Sequence, residues 1–81
     1  MNKAMARHLL REAGWRPPEI TMAERVLRHD ASRRAPKVVL VLKAFAERHE
    51  EAGEREAWKR LVGTIEADPR LAEALIALLA L

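Results

Sequence analysis

The sequence contains no cysteine and no tyrosine. Without thiols there is no disulfide framework, thiolate metal site or cysteine nucleophile, and nothing asks for an oxidising compartment, so a cytoplasmic location is expected. Glutamine is also absent, and asparagine and serine occur once each, as Asn2 and Ser32. The aromatics are limited to Trp15, Phe45 and Trp58, too few for a base-stacking platform of the kind that holds single-stranded nucleic acid. The glycines, Gly14, Gly53 and Gly63, stand apart and form no phosphate-cradling loop. Ser32 lies among arginines with no evident base, and His8, His29 and His49 share no ligand spacing with one another or with a carboxylate. The expectation is a non-enzyme with no catalytic residue, metal or cofactor.

Long apolar runs are missing too. Residues 71–81 carry a single charge, Glu73, but fall short of the roughly 20 residues that cross a bilayer, so no membrane association is expected. Lys3, Arg7, His8 and Arg11 interrupt the amino-terminal apolar residues, a pattern unlike a signal peptide.

What is present is Arg, Glu, Ala and Leu in abundance. At 49% apolar and 33% charged, the chain has enough hydrophobicity for a packed core and too much for a disordered tail. This usage fits a thermophile or a GC-rich prokaryote, or one of its phages. The 81 residues make one domain, at a size where a single core only narrowly outweighs the entropy lost on folding and self-association helps.

The periodicity predicts helix throughout, an all-α compact bundle of four or five short helices. The first covers residues 2–13, ending at Gly14 as a left-handed cap onto which Trp15 folds back toward Leu10. Pro17 and Pro18 then read as an extended turn. Thr21 and Glu24 read as the capping box of a second helix that ends between His29 and Ala31. Pro36 opens a third, whose run Val38, Val39, Leu40, Val41 and Leu42 is apolar on every side and marks it as the most buried helix. One straight helix through Gly53 would put Phe45 and Trp58 on different faces, so a break is expected there. A fourth helix covers 54–67, with Trp58, Leu61, Val62 and Ile65 on one stripe, and Asp68 followed by Pro69 starts a fifth.

Two features bear on function. The first is the last helix, where Leu71, Leu75, Ile76, Leu78, Leu79 and Leu81 help cover nearly the whole circumference. Such a helix must be threaded through the core or bury a second face on another chain; the size of the bundle favours the second, a symmetric homodimer. The second is charge. Residues 1–43 carry ten Lys and Arg against four Asp and Glu, whereas residues 44–81 carry five against eight. Lys3, Arg7 and Arg11 line one side of the first helix, Arg25 and Arg28 face outward on the second, and Arg33, Arg34 and Lys37 form a basic turn, together a candidate phosphate-binding surface. The acids Glu47, Glu50, Glu51, Glu54 and Glu56 form an opposing rim suited to a neighbouring subunit's basic half. Trp15, in a loop, is a candidate partner contact.

Together these point to a non-enzymatic helical interaction or regulatory module that self-associates and presents a polarised surface to a macromolecular partner. The alternative is a small nucleic-acid-binding protein contacting phosphates through its basic half.

Overall fold

Helix starts follow the chemistry of the first turn, which leaves backbone N–H groups without intrahelical partners. The computed structural model describes residues 1–30 and 33–80, and these form five α-helices with no strand among them: α1 (Lys3–Glu12), α2 (Pro17–Arg28), α3 (Ala35–Glu47), α4 (Ala52–Ala67) and α5 (Pro69–Leu78). Asn2 Oδ1 accepts the Met5 N–H at 2.8 Å and caps α1. The Glu51 carboxylate accepts from Gly53 (2.8 Å) and Glu54 (2.9 Å) at the start of α4. Asp68 Oδ1 accepts from Arg70 at 3.1 Å while Pro69 takes the first position of α5. At the end of α1, Gly14 has φ 98°, and the Trp15 N–H reaches the Leu10 carbonyl at 3.0 Å, the Schellman arrangement expected there.

Two boundaries differ from expectation. Pro17 and Pro18 are the first turn of α2 rather than an extended turn, because a missing N–H costs nothing there. Glu19 completes that turn by accepting the Arg16 N–H at 2.7 Å and holding its guanidinium at 3.1 Å, so the helix starts four residues before Thr21. The break after α3 falls at residues 48–51, ahead of Gly53. Gly53 instead lies under the cap: a Cβ there would meet Glu51 Oε1 at 3.0 Å.

α3 and α4 form an antiparallel hairpin, tied along its edge by Lys43–Glu66 (3.3 Å) and Glu47–Lys59 (3.2 Å). α1 packs mainly on α5, α2 lies beside α3, and α5 touches each of the other four helices. The most buried helix is therefore α5, not α3. Leu71, Ala72, Ala74, Leu75, Leu78 and Leu79 are all buried within the single chain, whereas α3 buries Val38, Leu42 and Ala46 and leaves Leu40 61% exposed. The alanines of α5 let neighbouring helices approach on several sides, which bulky branched residues on every face of α3 do not.

The homodimer interface expected at Leu71, Leu75, Leu78 and Leu79 is corrected accordingly, since these side chains are covered by their own chain and offer no surface. Ile76 is half-buried and packs against the core; Leu81 lies outside the described residues.

Leu75 has no exposed surface, so Leu75→Ala should cost about 2–5 kcal/mol in urea unfolding. Leu75→Glu should abolish the cooperative transition altogether, rather than yield a folded monomer.

The caps carry a pH dependence. Backbone N–H groups of Gly53 and Glu54 hold the Glu51 carboxyl below its ordinary value, and the Arg70 side chain does the same for Asp68. Burial pushes Glu19 up, but hydrogen bonds and charge from Arg16 outweigh this and the net shift is downward. Carboxyls depressed in the folded state stabilise it above their unfolded values, and the effect is lost as pH falls through the folded ones. Melting temperature should therefore drop as pH falls below the ordinary 4.5 of Glu and 3.8 of Asp. The double variant Glu51→Gln, Asp68→Asn, which keeps one acceptor oxygen at each cap but cannot ionise, should show a shallower decline in circular-dichroism melts.

Candidate functional site

A run of five apolar residues on a helix cannot all face one core, because successive side chains are turned by about 100°. In α3 the surplus emerges on the side toward the C-terminal end of α2. There the surface folds into a groove of about 770 Å³, open along one side. Val26 of α2 with His29 and Asp30 just past its end form one wall; Lys37, Leu40, Val41, Ala44 and Phe45 form the α3 wall; Arg48 and His49 close the end nearest α4. The recurrence at 37, 40, 41, 44 and 48 is the helical spacing that puts residues on one face.

The groove floor is continuous with the core through aromatic rings. Phe45 meets Trp58 edge-on with centroids 4.9 Å apart, and Trp58 meets Trp15 edge-on at 6.0 Å. His49 closes on Phe45 at 4.7 Å, also edge-on, and lies nearly parallel to Trp58 at 6.4 Å. Its Nδ1 is 3.0 Å from the Phe45 carbonyl, a contact in which an Nδ1–H donates. These contacts fix the wall of the groove against a rigid support, an arrangement suited to recognition.

The rim is mostly cationic. Lys37 Nζ lies 3.9 Å from Asp30, the one acid lining the groove, and Arg33 donates to the Asp30 carbonyl. Arg48 donates from Nε to the Ala44 carbonyl at 3.3 Å and, like His29, has no ion pair among the described residues. No cluster of three metal-ligating side chains occurs among those residues. What the arrangement can do chemically is exclude water over an apolar strip and hold negative charge at its edges.

Trp15 is not at the surface. It is 1% exposed, and its indole N–H donates to Thr64 Oγ1 at 2.8 Å while the Thr64 hydroxyl donates to the Leu61 carbonyl at 2.6 Å. The expected partner contact at Trp15 is thus corrected: the Schellman turn directs the ring inward and Thr64 satisfies its one donor.

The basic residues are all exposed but do not share one strip. α1, which carries Lys3, Arg7 and Arg11, makes no contact with α3, at whose start Arg34 and Lys37 lie. Arg28 pairs with Glu24 at 3.7 Å. Lys3, Arg7, Arg11, Arg25 and Arg34 have no ion pair among the described residues, and Ser32 lies outside them. Much of the acidic rim is spent within the chain: Glu47 and Glu56 reach Lys59 at 3.2 and 4.0 Å, and Glu51 caps α4.

The groove was not anticipated from sequence. The available signal was Leu40, which with Lys37, Val41, Ala44 and Arg48 forms a second stripe on α3 opposite the buried Val38, Leu42 and Ala46. No helix among the described residues is long and apolar enough to cross a membrane. Comparison of the chain with family models, with curated proteins and with solved structures found no match.

Proposed function

We propose that this chain is a non-enzymatic helical module of the cytosol that binds a protein partner through the groove between α2 and α3. The observation that carries the proposal is Leu40, 61% exposed in the middle of a half-buried apolar strip. Covering the exposed part of Leu40 stabilises a complex by about 1–2 kcal/mol before ordering costs, and Phe45, Val41 and Val26 extend the same surface. An apolar centre bordered by charged groups is the anatomy of a recognition patch.

A second reading draws on Lys3, Arg7 and Arg11, three exposed cations on α1 without an ion pair among the described residues. Such a stripe is suited to phosphates, with affinity set by salt rather than base sequence.

The two are separated by one substitution set. Leu40→Glu should leave the thermal melt of the purified protein unchanged yet remove the protein partner recovered by cross-linking in cells. Arg7→Glu with Arg11→Glu should leave that partner in place. Unaltered cross-linking by Leu40→Glu would sink the groove proposal. Salt-sensitive binding to duplex DNA, lost in the arginine double variant and kept in Leu40→Glu, would move the function to the second reading.

A further inference from the structure

We infer that the occupant of the groove is an amphipathic helix of a partner protein with carboxylates placed beside its apolar stripe. This rests on the groove being the docking face. Lys37 and Arg48 are eleven residues apart on the α3 side, about 16 Å along a helix and within about 20° of the same angular position. The α3 face of that length, flanked toward Lys37 by Val26, His29 and Asp30 and closed at the far end by His49, matches about three helical turns, the span over which anchors at i, i+3 or i+4, and i+7 engage a groove. Leu40, Val41, Ala44 and Phe45 lie between the two cations and provide the apolar floor for those anchors.

Charge decides the character of the flanks. The cations stand at the two ends of the α3 wall, and the acid on the rim, Asp30, already faces Lys37 at 3.9 Å. Arg25 on α2 and Arg34 just before α3, both exposed and without an ion pair among the described residues, extend the positive field beyond the rim. A ligand helix with carboxylates about three turns apart meets Arg48 at one end and Lys37 at the other. Basic flanks would meet like charge above all at Arg48, since Asp30 offsets part of the charge at Lys37.

The same charges argue against a second copy. A symmetric contact pairs a surface with itself, so two grooves brought together would set Lys37 and Arg48 of each copy in the same desolvated interface. The acids that could offset them are partly committed, Glu47 and Glu56 to Lys59 and Glu51 to the α4 cap.

The test is selection of helix-forming peptides, displayed with randomised apolar and flanking positions, on the intact protein. Enriched peptides should carry Leu, Ile or Phe at i, i+3 or i+4 and i+7 with Asp or Glu at the flanks. Their binding should weaken with added salt, fall at least about tenfold in Arg48→Glu, and be lost in Leu40→Glu, both variants retaining the wild-type melt. Enrichment of apolar anchors with neutral or basic flanks would overturn the acidic assignment and leave the groove as a docking face. Recovery of no groove-dependent peptide, while Leu40→Glu still removes the cross-linked cellular partner, would overturn the helical occupant alone. A concentration-dependent dimer dissolved by Leu40→Glu would assign the groove to a second copy and overturn the inference. Recovery of no such peptide together with unchanged cross-linking would overturn the docking face itself.

Discussion

Everything in this fold depends on α5 being buried by four neighbours at once. In a domain of 81 residues the surface is large relative to the interior, and one helix can be enclosed only if every other helix contributes a face to it. Alanines at 72, 74 and 77 make close approach possible, and leucines at 71, 75 and 78 fill the space between the approaching helices. With the inner faces of α1 to α4 thus assigned, what each presents outside is whatever its sequence has left over.

For α1, α2 and α4 the remainder is largely polar, but α3 has an apolar surplus. Val38 and Leu42 go inward, Val39 and Val41 are half-covered, and Leu40 is left outside. The groove is therefore a consequence of packing, an apolar strip with no inner position to occupy. It is a firm strip, because the Phe45, Trp58 and Trp15 rings connect it to the centre and Thr64 accepts the one indole proton that burial of Trp15 would otherwise strand. Among the described residues no buried side-chain nitrogen or oxygen lacks a partner, so the interior holds no polar group in search of a ligand.

Local signals in the sequence were legible where a few neighbouring residues decide the outcome. Asp68 with Pro69 marks the start of α5, and Gly14 with Trp15 marks the end of α1, because caps and left-handed turns are settled within four or five residues. The start of α2 is ambiguous at this local level: two adjacent prolines suit an extended turn and a helical first turn alike, and the carboxylate of Glu19 tips the balance. Which apolar helix takes the centre is not a local property. Hydrophobicity measures how much surface a helix wants to bury, but α3 and α5 compete for one central place, and the small side chains of α5 win it by allowing closer approach. The same ambiguity hid the groove, whose walls come from segments joined only when α2 lies beside α3.

Pairing sharpens the charge division along the chain. In the acidic half, Glu51 and Asp68 are taken up as helix caps and Glu47, Glu56 and Glu66 in ion pairs with lysines. In the basic half, Lys3, Arg7, Arg11, Arg25 and Arg34 are left without ion pairs among the described residues, so that half presents its positive charge outward. The two cationic surfaces nevertheless ask for different ligands. The α1 stripe is charge over a polar face and distinguishes ligands by their charge density. The groove places charge at the edge of an apolar floor, so the ligand proposed for it must bring hydrophobic area and negative charge in a fixed relation. Of the two surfaces, the groove makes the more specific demand, because shape and charge must be satisfied together.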